Sequence, residues 1–355
     1  MSAQDPKTYH EQTYIDNTLR LGQILKTMPP FARDYFRAIE PKSSAKTRIS
    51  YAYDIRVFFH FLMENNPVYK DYTMDQFTAK DLERIEPVDI EEYQEYLKVY
   101  TGSEDQQITN TEKGLARKMS ALRSFYAYYF KHQVIEKNPT LLVDMPKLHD
   151  KAIIRLDTDE VASLLEYVEH GGDDLTGQRK VYFEKTKNRD LAILTLLLGT
   201  GIRVSECVGL DIQDVDFKNN GVKVTRKGGN EMVVYFGEEV ENALKMYLYT
   251  TRKSVTALSG HENALFLSTQ RKRMGVQAVE NMVKKYARQI TPNKKITPHK
   301  LRSTYGTALY KETGDIYLVA DVLGHKDVNT TKKHYAAIDE NRRRQAAGAV
   351  KLREP

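Results

Sequence analysis

The sequence predicts a mainly α-helical protein with an N-terminal helical domain and a C-terminal domain that is mixed but mostly helical, with a small antiparallel sheet. Three observations predict this fold class. The chain has 355 residues, and a domain usually holds roughly 100–200 residues. Apolar residues recur at helical spacing through most of the chain. The spacing becomes strand-like only at 214–226 and 231–236.

The N-terminal domain, placed at 1–145, has the start signals and periodicity of helices. Ser44 is a suitable N-cap for a helix that continues to residue 65, and further helices are expected at 88–100 and 111–131. Basic residues lie beside the apolar stripes of these helices. Solvated surface charge is their simpler interpretation, and contacts to an anionic partner are the alternative. The residues in question are Lys46, Arg48, Lys113, Arg117, Lys118 and Arg123.

Two prolines interrupt the helical pattern after residue 138, and we place an interdomain linker at 146–156. The C-terminal domain at 157–355 begins with a helix capped by Asp157 or Thr158 and contains a hairpin whose turn is 227–230. A loop is expected at 171–177. The other predicted helices are 189–199, 203–210, 238–251, 276–290, 299–313, 316–323, 329–337 and a tail helix at 339–352.

Composition and charge exclude several classes of protein. The longest apolar run, 191–198, is far shorter than the ~20 residues that span a bilayer. The N-terminus lacks a signal-peptide layout, so we expect a cytoplasmic protein with no membrane partner. The one cysteine excludes an internal disulfide framework and a cysteine-rich metal site. A net charge of +6 permits a polyanionic partner without requiring one.

Four separate segments of the C-terminal domain carry groups suited to binding a phosphate. The first is Gly-Thr-Gly-Ile-Arg-Val-Ser-Glu at 199–206. Its glycines allow a ligand to approach the backbone closely, and Arg203 has a planar guanidinium that can bind two oxygens of one phosphate. A surface ion pair between Arg203 and Glu206 is the plainer alternative. The second is Thr-Arg-Lys-Gly-Gly, where Lys227 stands at a hairpin tip and is suited to giving a proton to a leaving oxygen. An ordinary charged hairpin tip is the alternative.

The third segment, Thr-Pro-His-Lys-Leu-Arg, places His299 and Arg302 on one face at a helix N-terminus, where partial positive charge favours an anion. The fourth is Leu-Gly-His ending at His325, with Tyr335 ten residues further on. A phenol has an unperturbed pKa of about 10. Tyr335 therefore suits a nucleophile only where cations and donors surround a phosphate.

In this order, the four segments resemble the active site of the tyrosine recombinases, the lambda-integrase-like and Xer site-specific recombinases. The resemblance covers 157–340, the XerS subgroup is the most similar, and the N-terminal helices resemble the family's core-binding domain. Tyr305 departs from the pattern, since an apolar residue is more usual there. The residues that carry the resemblance are Arg203, Lys227, His299, Arg302, His325 and Tyr335.

The resemblance implies the chemistry of these residues. Tyr335 would attack the scissile phosphate, forming a 3′-phosphotyrosyl bond and releasing a 5′-hydroxyl. Arg203 and Arg302 would hold the non-bridging oxygens, and Lys227 would protonate the leaving 5′-oxygen. Because the phosphotyrosyl bond conserves the bond energy, attack by another 5′-hydroxyl would rejoin DNA without ATP. The cations would take the place of a metal, so no metal and no other cofactor is expected.

The remaining roles and the partners follow from the same resemblance. His299 would take the tyrosine proton or bond the phosphate, His325 would donate to the phosphate, and Glu206 would hold neighbouring side chains. The expected partner is double-stranded DNA with an inverted-repeat core, bound by a homodimer and brought together by a homotetramer, with an accessory division or excision protein as a further candidate. The helix 339–352 would dock into a neighbouring subunit or fold back on its own domain.

Several functions compete at this stage. Chromosome dimer resolution is favoured over integration of a mobile element, because no arm-binding domain precedes the N-terminal helices. A type IB topoisomerase would share the chemistry. A metal hydrolase would use His299, His325 and His334, but no metal-ligand spacing supports it. A non-catalytic DNA-binding protein on the same fold would show a decayed active-site position, and the sequence has none.

Overall fold

The computed structural model confirms the predicted fold class, with mainly helical units and small antiparallel sheets. The chain divides into two compact units, Met1–Lys151 and Ala152–Pro355, and this division falls inside the segment 146–156. None of the helices in the part of the chain that the structure describes is long and apolar enough to cross a membrane. The structure describes residues 8–102, 105–149, 153–226, 229–324 and 328.

The N-terminal unit is built around a long central helix that packs against two others. This helix, α3, contacts α1 and α5. Two of its buried aromatic rings pack edge to face on rings of α5, Phe58 on Tyr126 at 6.5 Å and Phe59 on Phe125 at 6.1 Å. The elements are α1 (Tyr9–Leu25), α2 (Ala32–Ala38), α3 (Ala45–Asn65), α4 (Pro87–Tyr96), β1 (Val99–Thr101), β2 (Gln107–Thr109) and α5 (Glu112–Lys131).

Local signals account for most of these boundaries. The Ser44 side chain accepts from the Thr47 N–H at 3.2 Å, which confirms the predicted N-cap. The helix predicted over 88–100 is wrong at its end, because β1 starts at Val99 and pairs with β2 across Tyr100 and Ile108. A β-branched and aromatic run favours a strand here once a partner strand is available.

The C-terminal unit places a small antiparallel sheet, ordered β3-β4-β5, among helices. Val222 of β4 and Val234 of β5 are register partners, and both are buried. The central helix α7 packs against α6, α9 and α11. The elements are α6 (Thr158–His170), α7 (Gly177–Thr200), α8 (Val204–Gly209), β3 (Val215–Asp216), β4 (Gly221–Thr225), β5 (Glu231–Tyr235), α9 (Glu238–Met246), α10 (Val276–Ile290), α11 (Pro298–Thr313) and α12 (Ile316–Leu323).

Two helices of this unit differ from their predicted extents. Helix α7 starts at Gly177 and not near residue 189, because polar turns precede its apolar half and hide the helical period. The helix predicted over 238–251 is α9 followed by a π-helical stretch, Tyr247–Arg252. The predicted helices 329–337 and 339–352 lie outside the described residues.

Candidate active site

A glycine at the end of α7 turns the chain into the first predicted site segment. Gly201 has the left-handed φ of +62°, and its N–H donates to the Leu197 carbonyl at 3.1 Å. A Cβ at this position would lie 2.3 Å from Cδ1 of Tyr305 and 2.9 Å from Cδ2 of Leu323. Both the backbone conformation and the close packing therefore require glycine, and the turn leads directly to Arg203.

Arg203 caps α8 and is held by Glu206 one turn later. Its Nη1 donates to Oε1 of Glu206 at 2.7 Å, while its backbone N–H donates to Oε2 of the same carboxylate at 2.8 Å. Glu206 is buried, whereas the Arg203 side chain is 36% exposed. The ion pair expected as the plainer alternative is thus present, and it fixes the direction of the guanidinium on a side chain that is still partly exposed.

Arg302 reaches the same place from α11. It is buried, and its guanidinium donates to the carbonyls of Gly201 and Leu323. His299 lies one turn earlier on α11 and is exposed. The two residues are three apart on one helix, so they share a face as predicted.

Backbone carbonyls at the C-terminus of α12 accept hydrogen bonds from the guanidiniums of three separate segments. Leu323 accepts from Arg302, and Gly324 accepts from Nη2 of Arg203 at 3.4 Å. Arg226, which follows β4, donates from Nη2 to the Val322 carbonyl at 2.7 Å. Carbonyls at a helix C-terminus lack helical partners and carry partial negative charge, so arginines satisfy them well.

Arg226 was not among the residues that the sequence indicated. Burial lowers the pKa of its guanidinium; the Glu206 carboxylate opposes this shift and the nearby charge of Arg203 adds to it. The charges of Glu206 and Arg203 thus act on Arg226, and the three side chains form one electrostatic cluster. The signal that could have found Arg226 is its position directly before Lys227 in a motif that the sequence already singled out.

The structure brings part of the predicted site together. Arg203, Glu206 and Arg302 meet around the end of α12, and His299 lies on the same helix as Arg302. Lys227, His325 and Tyr335 lie outside the described residues. In the sequence, Lys227 directly follows Arg226, and His325 directly follows Gly324.

The candidate DNA contacts of the N-terminal unit separate into exposed and internal residues. Lys46, Lys113 and Arg117 are exposed, although Arg117 also pairs with Asp54. The other three residues make contacts inside the unit. Arg48 is buried and pairs with Glu40 at 2.9 Å, Lys118 is buried and pairs with Asp54 at 3.5 Å, and Arg123 is half-buried and donates to the carbonyls of Thr140 and Val143.

Among the residues that the structure describes, no three histidine, cysteine, aspartate or glutamate side chains cluster as metal ligands would. Of the three histidines that a metal hydrolase would use, His325 and His334 lie outside these ranges.

Comparisons with known proteins agree with this arrangement. A model of the phage integrase family matches residues 155–342, and a model of the phage integrase N-terminal SAM-like domain matches residues 33–133. Tyrosine recombinase XerC of Caldanaerobacter subterraneus subsp. tengcongensis is 34% identical over 327 residues, covering 90% of this chain and 86% of that protein. Tyrosine recombinase XerS of Streptococcus thermophilus is 30% identical over 351 residues, covering 91% and 96%.

Solved structures share the fold. The Tn1549 transposon integrase, in complex with transposon right end DNA, has a TM-score of 0.62 at 20% identity and covers 90% of this chain and 99% of that chain. The XerH site-specific recombinase, bound to a palindromic difH substrate, has a TM-score of 0.60 at 19% identity and covers 85% and 78%.

The two matched family models and the relatives that align along most of the chain place this protein in the class of the tyrosine recombinases. The chain belongs to the phage integrase family, and its relatives include Xer tyrosine recombinases. The predicted recognition as a site-specific recombinase of this family is confirmed.

Proposed function

We propose that this protein binds duplex DNA at an inverted-repeat core site and exchanges strands through Tyr335. The observation that carries the proposal is the meeting of Arg203 and Arg302 at the end of α12, directly before His325 in the chain. Guanidiniums fixed in advance stabilise the charge that develops on a phosphate without further reorganisation. The family resemblance supplies the remaining roles.

In the proposed reaction, the Tyr335 oxygen attacks the phosphorus and the bond from phosphorus to the 5′-oxygen breaks. His299 takes the tyrosine proton or bonds the phosphate, Lys227 gives a proton to the 5′-oxygen, and His325 donates to the phosphate. Arg203 and Arg302 hold the non-bridging oxygens, and Glu206 orients Arg203. Attack by a 5′-hydroxyl from another strand reverses these steps and rejoins the DNA, so the reaction requires neither ATP nor a metal.

The test is trapping on a nicked suicide substrate that carries a candidate inverted repeat. Wild-type protein should form a covalent complex in excess EDTA, and mass spectrometry should place the DNA on the peptide that contains Tyr335. Tyr335→Phe should bind the same DNA and form no adduct. Arg302→Ala should lose about 3–4 kcal/mol of transition-state stabilisation or more. A covalent complex formed by Tyr335→Phe would overturn the assignment.

We further propose that the protein acts in chromosome dimer resolution and is cytoplasmic and nucleoid-associated. Relatives named XerC and XerS that align along most of this chain support this role. Deletion of the gene should leave chromosome dimers unresolved, which is seen as a segregation defect that requires homologous recombination. Normal segregation with failed excision of a neighbouring element would instead favour a mobile-element integrase.

The proposed assembly is a homodimer on one site and a homotetramer that joins two sites, with an accessory division or excision protein as a candidate partner. The tail 339–352, which lies outside the described residues, would dock into a neighbouring subunit in this assembly. Truncation after Ile338 should then spare DNA binding and abolish recombination. Full recombination by the truncated protein would contradict the docking.

A further inference from the structure

We propose that Arg226 is a positioning residue, which clamps the β4–β5 hairpin onto the C-terminus of α12 and thereby holds the general acid of strand cleavage in place. The proposal rests on the function proposed above, in which Lys227 protonates the leaving 5′-oxygen. Arg226 precedes that lysine in the chain. It is not itself assigned any contact with the scissile phosphate.

The clamp is made by the guanidinium alone. Nη2 donates to the Val322 carbonyl at 2.7 Å, and Nη1 points to the Asp321 carbonyl at 3.4 Å. These contacts join residues 95 and 96 positions apart in the chain. Because both acceptors are carbonyls at a helix C-terminus, the interaction combines hydrogen bonds with a favourable charge–dipole contact.

The acceptor side is shaped to receive this side chain. A Cβ at residue 324 would lie 1.5 Å from Nη1 and 2.4 Å from Cζ of Arg226. Gly324 also has the left-handed φ of +62° that ends α12. The glycine therefore closes the helix and leaves the space that the guanidinium fills.

The clamp stands beside the proposed phosphate-binding arginines. Gly324, which packs against Arg226, is also the residue whose carbonyl accepts from Arg203, and the preceding Leu323 accepts from Arg302. The buried Nε of Arg226 has no hydrogen-bond partner among the described residues. A buried donor without a partner costs free energy, so Nε does not contribute to holding the side chain, and the contacts of Nη1 and Nη2 do.

Loss of the clamp should impair protonation of the leaving group more than phosphate binding. A misplacement of a catalytic group by ~1 Å costs on the order of 10²-fold in rate. If the 5′-oxygen is replaced by sulfur, the leaving group is a thiol, whose pKa is near 8.5. Such a group leaves as a thiolate and needs no proton, so a substrate with a bridging 5′-sulfur bypasses the general acid.

The experiment measures single-turnover adduct formation by the full-length chain on matched suicide substrates with 5′-oxygen or 5′-sulfur. Arg226→Ala should be slower than wild type by about 10- to 100-fold on the oxygen substrate, which does not exceed the ~10²- to 10⁴-fold that a general acid usually contributes. On the sulfur substrate its rate should return close to that of wild type, and its DNA affinity should be unchanged. Arg226→Lys, which keeps charge and donors, should recover part of the rate on oxygen.

A matched control is Arg252→Ala, which removes another arginine whose guanidinium donates to backbone carbonyls, those of Ala264 and Glu262. Any slowing in this variant should be equal on the two substrates. Equal slowing of Arg226→Ala on both substrates, or no slowing at all, would overturn the proposal. If Arg226→Ala does not fold, Arg226→Gln and Arg226→Lys replace it. The proposal is then tested by the ratio of their rates on the oxygen and sulfur substrates, compared with the ratio for wild type. If wild-type protein forms no adduct on either substrate, the proposed function itself fails.

Discussion

Glu206 binds Arg203 twice, once through the guanidinium at 2.7 Å and once through the backbone N–H at 2.8 Å. The carboxylate is buried and the guanidinium is partly open to solvent. One carboxylate thus caps α8 and aims the arginine that starts it. Glu206 holds the guanidinium of Arg203 in place, and the role proposed for that guanidinium is to bind a phosphate.

The two side chains should therefore be energetically coupled. In a cycle of Arg203→Ala, Glu206→Ala and the double variant, we expect a coupling free energy of about 0.5–3 kcal/mol. Arg203→Ala alone leaves a buried carboxylate without its main partner, so part of its cost should vanish when Glu206 is also removed. Urea unfolding measures these free energies. Strict additivity of the two single changes would contradict the coupling.

Gly201 should tolerate no side chain. Gly201→Ala places a Cβ 2.3 Å from the Tyr305 ring in a left-handed backbone, and it should lower the free energy of unfolding by about 2–5 kcal/mol, the sum of conformational and overpacking costs. Gly177→Ala is the control, because Gly177 has a similar φ of +58° and open space around it. It should show the conformational cost alone. Equal losses in the two variants would mean that the packing around residue 201 relaxes freely.

The exposed lysines of the N-terminal unit should each add to DNA affinity, and this contribution should weaken as the salt concentration rises. Lys46→Gln and Lys113→Gln should each reduce the slope of log affinity against log salt by about 0.9 if each lysine contacts one phosphate. Lys70→Gln, an exposed lysine at the start of the acidic stretch 70–105, should leave the slope unchanged. Titrations with the candidate core site at several salt concentrations measure the slopes. Identical slopes in all variants would remove both lysines from the interface.

Lys118 should behave in the opposite way. It is buried beside Asp54, so Lys118→Gln should lower the free energy of unfolding by about 1–3 kcal/mol, the usual cost of weakening a buried charged hydrogen bond. Its salt slope should match wild type, since the amine does not reach the surface. A reduced slope of log affinity against log salt, with an unchanged free energy of unfolding, would instead indicate that Lys118 contacts DNA.

The fold class and the long helices could be predicted because their signals are local. A cap such as Ser44 and a regular apolar stripe act within one helix, and the structure confirms them. The strand β1 could not be predicted this way, because Val99–Thr101 becomes a strand only by pairing with a segment further along the chain. Tertiary pairing outweighs local helical preference there.

In the candidate site, too, residues with a local sequence signal could be predicted and residues that depend on tertiary contacts could not. Motif residues such as Arg302 were recognisable because their flanking sequence is distinctive. Arg226 was missed because its importance lies in contacts to α12, 96 positions away in the chain. The burial of Lys118 could not be predicted, because its helical position adjoins a polar face and the buried Asp54 carboxylate that pairs with it belongs to another helix.

The rate at which Cys207 reacts with an alkylating reagent should show whether α8 opens in the folded protein. This residue is the single cysteine of the chain, lies on α8 next to Glu206, and is fully buried. Burial raises the pKa of its thiol to about 12, and the neighbouring Glu206 charge adds to this shift. Only the thiolate reacts with alkylating reagents, so labelling of native protein at pH 8 should be far slower than labelling of a free cysteine. The labelling rate should rise with urea in parallel with the loss of helical circular dichroism, because unfolding exposes the thiol and restores its ordinary pKa. Rapid labelling of fully folded protein would show that α8 opens locally, and Arg203 would then be held less firmly than its contacts with Glu206 indicate.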